Sequence, residues 1–151
     1  MLPFPSEFPQ YNNCTIAVIG LGYVGLPLAV AFSGVLKKST SKDPNRVIGF
    51  DINKTRIADL QNNIDRTHEV SESTLKELEN IIFTSDIEDL NNVDVFLVTV
   101  PTPIDQVNRP DLSMLGSATE LVGKALKRRS SLSTNPVSLA LAVYKNQSSS
   151  D

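Results

Sequence analysis

Short apolar runs alternate with amphipathic and polar stretches along this chain, and their spacing predicts most of its elements. Thr15–Ile19 (T-I-A-V-I) is brief and apolar on both sides, the pattern of a strand buried on both faces of a sheet. An apolar helix is expected over about 26–36, and a second strand over Arg46–Phe50, ending at Asp51. Asn53 is placed to cap a helix over 54–62 with Ile57 and Leu60 on its inner side. Ser71 is placed to cap another over 72–80, where Leu75 and Leu78 point one way. Ile81–Thr84 reads as a third strand, 86–90 as at most one helical turn, and 94–100 as a fourth strand. Asp111 or Ser113 then caps a last helix whose apolar set is Leu115, Leu121, Val122, Ala125 and Leu126. Strand-helix-strand-helix-strand-strand is the order of the first mononucleotide-binding half of a doubly wound sheet. The expected fold class is therefore α/β, a Rossmann-like doubly wound parallel sheet truncated after roughly its first half.

The join between the first strand and helix carries the candidate chemistry. Gly20-Leu21-Gly22-Tyr23-Val24-Gly25 is a G-x-G-x-x-G turn. In such a turn the first glycine makes the reversal, the second admits a pyrophosphate against the backbone, and the third lets the helix pack on the strand. Free N–H groups and the positive end of the helix dipole face the phosphates. Pro27 suits the first helical turn, which needs no donor from it. The motif alone is weak, and its context strengthens it: a strand before, a helix after, and Asp51 closing the second strand. An acidic side chain there accepts hydrogen bonds from the adenosine ribose and repels a 2′-phosphate, which favours NAD over NADP. Two competing readings are a glycine-rich turn of another α/β protein, with Asp51 only capping the next helix, and a membrane span over the uncharged stretch 16–32. Three glycines, a proline and a run short for a bilayer oppose the span.

Composition narrows the picture modestly. The chain has 151 residues, 40% hydrophobic, enough for one domain with a core, and a net charge of −3, which does not point to nucleic acid or an anionic membrane as partner. A single cysteine, Cys14, permits no internal disulfide and suits a reducing cytoplasm; beside the first strand it reads as a small buried residue. Residues 1–13 lack a signal-peptide pattern and read as a loose arm. Residues 37–45 read as an exposed loop that lengthens the interval between the glycines and Asp51. Lys54 and Arg56 are close enough to Asp51 to flank an adenosine, with solvated helix charge as the competing reading. His68, the sole histidine, has no ligand pattern around it and is expected at the surface, so no metal site is predicted. Pro101-Thr102-Pro103 follows the fourth strand, where ligands bind in open parallel sheets. It is either a stiffened loop holding one hydroxyl in place or an ordinary proline loop.

Several separated motifs then carry a resemblance. I-A-V-I-G-L-G-Y-V-G-L-P-L-A, V-I-G-F-D-I-N-K-x-R-I, D-R-T-H-E-V and V-T-V-P-T-P-I-D…R-P-D-L together resemble the UDP-glucose/GDP-mannose dehydrogenase family over roughly 15–127. Within it they are most similar to the UDP-N-acetylhexosamine 6-dehydrogenases of bacterial polysaccharide synthesis. The resemblance implies NAD-dependent, two-step oxidation of a sugar C6 alcohol to a carboxylate by way of an enzyme thioester. It implies a UDP-sugar substrate, a cytoplasmic homo-oligomer, and neither nucleic acid nor membrane as partner. It assigns cofactor binding to Gly20, Gly22, Tyr23, Val24, Gly25, Asp51, Arg56, Pro101 and Thr102, with Thr102 also placing water and substrate. The family's nucleophilic cysteine has no counterpart here, Cys14 being in the wrong place, so the chain is expected to be an inactive amino-terminal fragment.

Two departures are visible: Asn63 stands where the family has glycine, and the loop after the first helix is longer. The expected division is an arm over 1–13, an incomplete Rossmann domain over 14–127, and an aberrant or disordered tail over 128–151. In that tail 137–144 alternates weakly, as a strand or a helix turn would. The competing functions are a stand-alone NAD-binding module and an unrelated α/β nucleotide binder.

Overall fold

Parallel strands can be joined only by crossovers, and the chain supplies one helical segment for nearly every pair of strands. The computed structural model describes residues 14–37, 46–103, 109–130 and 138–141. In chain order they form β1 (Thr15–Ile19), α1 (Gly25–Lys37), β2 (Arg46–Phe50), α2 (Lys54–Gln61), α3 (Glu72–Lys76) and β3 (Ile81–Thr84). A 3₁₀ turn (Ile87–Leu90), β4 (Val95–Val98), α4 (Ser113–Ser130) and β5 (Ser138–Leu141) complete them. The arm, the loop over 38–45, residues 104–108 and most of the tail lie outside the described residues.

The sheet order is β3-β2-β1-β4-β5, every neighbouring pair parallel. Ala17 pairs with Ile48 on one side and Phe96 on the other, so β1 lies at the centre. Alternate residues of β1 serve opposite layers. Ile16 and Val18 join Leu26, Ala29, Ile57 and Leu60 beneath the first helices. Ala17 and Ile19 join Phe50, Phe96, Ala118 and Val122 beneath α4. This is the doubly wound Rossmann arrangement, with the order of strand addition reversing between β1 and β4.

Asn53 caps α2 by accepting from the N–H groups of Thr55 and Arg56, and Ser71 caps α3 by accepting from Thr74 N–H. Helix α3 stops at Lys76, four residues before its expected end. Asn80 O accepts the Val47 N–H at 2.9 Å, which draws this stretch out of the helix and into register with β2. Strand β4 is shorter than expected, although Asp94 N and Thr99 N extend its ladder onto Thr15 O and Ile19 O. Asn63 takes φ 62°, the left-handed conformation in which asparagine is the best tolerated substitute for glycine. The departure from the family pattern therefore preserves the turn after α2.

Helix α4 continues through Ser130, and Ser138–Leu141, within the stretch read as either a strand or a helix turn, pairs with Val95–Val98 of β4 as a strand. An unpaired β4 edge would leave a row of N–H and C=O groups open, and four residues of S-L-A-L suffice to cover it.

Candidate dinucleotide site

The glycine turn sits at the carboxyl end of β1, where the sheet's crossovers part toward opposite faces. Gly20 has φ +93°, a conformation that disfavours a side chain, and its N–H donates to Phe50 O at 2.8 Å. Gly25 is required by proximity: a Cβ there would lie 1.8 Å from Gly20 O and 2.5 Å from Thr99 Oγ1. Gly22 is different. A Cβ at that position meets no atom within 4 Å, so its glycine faces open space. Helix α1 begins at once, with Leu26 N donating to Gly22 O.

Asp51, half-buried at the end of β2, holds two strands of backbone together. Its Oδ2 accepts Leu21 N–H at 2.9 Å and its Oδ1 accepts Asn53 N–H at 2.9 Å. A carboxylate has about four acceptor positions, so two remain for a ribose. Arg56 is not a solvated helix charge. Only 11% of its side chain is exposed, and its Nε donates to Leu21 O at 2.9 Å. Its Nη1 lies 2.8 Å from Asp65 Oδ1 as an ion pair, outside hydrogen-bond alignment. The Asp65 side chain is shut from solvent and accepts from Thr67 N, Thr67 Oγ1, Glu69 N and Val70 N at 2.7–3.0 Å. Burial pushes its carboxyl up, and the Thr67 and Val70 hydrogen bonds with Arg56 outweigh this, holding it well below the ordinary carboxylate range.

These elements frame a cleft of about 550 Å³, within the usual size for a bound small molecule. Gly20, Gly22, Asp51, Ile52, Pro101, Met114 and Leu121 are among the residues that line it. Of the residues singled out in the sequence, Gly20, Gly22, Asp51 and Pro101 line it. Tyr23, Val24, Gly25 and Arg56 are not among the lining residues, and Tyr23 is exposed. Thr102 is buried one residue beyond the lining. Cys14 is buried at the opposite end of β1, roughly 17 Å of strand away, where burial and then Asp94 raise its thiol pKa. His68 is exposed, and no group of metal-ligating side chains occurs among the described residues. No described helix is long and apolar enough to cross a membrane.

Three further residues bear on the turn or its surroundings. Thr99 is buried and donates to Gly20 O at 2.8 Å, with Ile19 O at 3.1 Å. A lone hydroxyl ending an apolar strand was its only signal. Asp65 and Asn53 were the others, one within D-R-T and one already noted as a cap.

The open glycine, the acidic strand end and the cleft between them fit an adenine dinucleotide. The sequence profile of the UDP-glucose/GDP-mannose dehydrogenase family, NAD binding domain, matches residues 14–147. Protein CapL of Staphylococcus aureus is 52% identical over 114 residues, 76% of this chain and 24% of that protein. The UDP-N-acetyl-D-glucosamine 6-dehydrogenase of Pseudomonas aeruginosa is 52% identical over 117 residues, 78% of this chain and 26% of that protein. The solved structure of the UDP-D-ManNAc dehydrogenase of Pyrococcus horikoshii superposes with a TM-score of 0.61 at 26% identity, covering 88% of this chain and 36% of that one. The chain thus spans about a quarter of the length of the curated relatives it matches.

Proposed function

The chain belongs to the UDP-glucose/GDP-mannose dehydrogenase family, as its NAD-binding domain, and on that premise we propose that it is the cofactor-holding part of a nucleotide-sugar 6-dehydrogenase. The substrate we assign to the parent enzyme is a UDP-N-acetylhexosamine, oxidised to the uronic acid for polysaccharide biosynthesis. The names of the relatives that are about half identical support that choice. The observation that carries the reading is the presence of a sterically open Gly22 and of Asp51 in the lining of one cleft.

In this reading Gly20, Gly22 and the start of α1 face the pyrophosphate with backbone N–H groups. Asp51 keeps its bonds to Leu21 and Asn53 and accepts the adenosine ribose hydroxyls on its remaining lone pairs. Pro101 and the buried Thr102 stand toward the nicotinamide half, with Thr102 ordering water or substrate. NAD, when bound, supplies the hydride acceptor. The thioester step needs a thiolate at the cleft. Cys14, remote and held protonated by burial, does not provide one. These residues alone are therefore expected to show no turnover with NAD and UDP-N-acetylglucosamine. The parent is assigned to the cytoplasm as a homo-oligomer.

Affinity for NAD and NADP tests the cofactor assignment directly. The unaltered chain should prefer NAD, and Asp51→Ala should weaken NAD binding and erode the preference. Equal affinity of the unaltered chain for both would refute it.

A further inference from the structure

Leu21, between Gly20 and Gly22, has both of its backbone polar groups held from outside the turn, one in each of its two peptide units. Leu21 N–H is held by Asp51 and Leu21 O by Arg56 Nε. Because the peptide is planar and trans, the Leu21 carbonyl and the Gly22 N–H point in opposite directions. A cation that fixes the carbonyl therefore also aims the next N–H, which belongs to the residue open to the cleft. Arg56 does not hold this posture alone: Asp65 faces Nη1, and Thr67 Oγ1 lies 3.4 Å from Nη2. Asp65 is in turn fixed by the four local donors already named, on a loop that does not line the cleft.

We propose that Asp65 is a positioning residue for the cofactor site: through Arg56 it sets the Leu21–Gly22 peptide plane so that the Gly22 N–H faces the pyrophosphate. The D-R-T loop thus contributes to cofactor affinity without touching the cofactor. This inference rests on the NAD reading given above and adds a residue to it.

The distinction from a merely structural role lies in which part of the ligand is lost. Adenosine has the ribose that Asp51 would accept but no phosphate for Gly22. The ¹⁵N-labelled full chain is titrated with NAD, ADP and adenosine, reading amide shifts. Asp65→Asn places an NH2 group where an acceptor is needed, either against the Glu69 and Val70 N–H groups or against Thr67 and the guanidinium. It is expected to weaken NAD and ADP about tenfold, the worth of roughly one charged hydrogen bond. Adenosine should stay within about twofold, and the ligand-free Gly22 amide should shift while α1 resonances hold their positions. Arg56→Lys, whose single ammonium cannot meet Leu21 O, Asp65 and Thr67 together, should repeat the pattern.

Unchanged ADP affinity, or adenosine affinity falling in step with ADP, would overturn the inference while leaving the NAD assignment intact. If one variant is unfolded by circular dichroism, the other decides. Unfolding of both makes the pair structural and counts against the proposal. Failure of the unaltered chain to bind NAD would sink the cofactor reading and this inference with it.

Discussion

The glycine turn and the first turns of α4 both line the cleft, and they are held by different forces. On the turn side, Gly20 and Leu21 are fixed by hydrogen bonds to Phe50, Asp51, Arg56 and Thr99, and Gly25 packs directly against the Gly20 backbone. On the α4 side, Ala118, Val122 and Ala125 bury against the sheet, while Leu112 and Met114 stay about half exposed. Directional bonds specify atom positions to a fraction of an ångström, whereas apolar contact tolerates exchange of shape at modest cost. The turn side is therefore the part that sets ligand geometry, and the α4 side the part that covers it. Substitutions should be punished accordingly.

The sharpest way to break this contrast is Gly25→Ala. Its methyl would fall on the Gly20 carbonyl, a backbone atom that cannot swing aside. A loss of about 3 kcal/mol or more is expected, lowering the melting temperature by roughly 10 °C. A melting point within about 2 °C of the unaltered chain would show that the turn is not rigidly built. Met114→Ala on the α4 side should change stability by less than about 0.5 kcal/mol.

Next in size is the Asp65 contribution, read against pH. Its carboxyl titrates lower in the folded chain than its ordinary 3.8, so its stabilisation is fully present above that value. It is lost as pH falls from there through the lower folded value, at up to about 1.4 kcal/mol per pH unit. The stability gap between the unaltered chain and Asp65→Asn, followed by urea unfolding, should be level above about pH 5 and narrow below about pH 4. A gap that stays constant down to pH 2.5 would contradict the buried, donor-saturated carboxylate.

How much of this was legible depended on whether the cause was local. The bounds of β1, β2 and β3 follow from apolar runs ended by glycine, acid or polar residues, and all three were read directly. The caps at Asn53 and Ser71 are local chemistry and were equally plain. The end of α3 was missed because its cause is Val47 N–H, 33 positions from its acceptor Asn80. Likewise Arg56 looked like a solvated helix charge because Asp65, its partner, lies in a loop outside any i,i+4 relation. The strand over Ser138–Leu141 was left open between strand and helix turn, since its reason for existing is the edge of β4 rather than its own weak alternation. Pairing at a distance decided each of these, and a single sequence does not display it.

A smaller effect is expected from Thr99→Val, which keeps the volume and removes one hydroxyl. The Gly20 carbonyl would lose its 2.8 Å donor, and about 1 kcal/mol of stability with it. Because Thr99 reaches the turn from β4, this variant asks whether the two sides are coupled: NAD affinity should fall together with stability. A loss of stability without any change in affinity would confine Thr99 to the core.

The smallest stability effect belongs to Gly22→Ala, and it is the most informative about function. A methyl there meets no atom within 4 Å, and the residue does not occupy the left-handed region, so nothing in the fold resists it. Unfolding free energy should move by less than about 0.5 kcal/mol, near the ordinary helix-start difference between the two residues. Yet the methyl projects into the space that the pyrophosphate would fill, and NAD affinity should drop about tenfold or more. Gly25→Ala and Gly22→Ala would then be mirror images, one losing the fold and the other losing the ligand, three residues apart in one turn. If Gly22→Ala instead binds NAD as well as the unaltered chain, the open face of the turn is not where the phosphates lie. The division between a side that sets ligand geometry and a side that covers the ligand would then have to be redrawn.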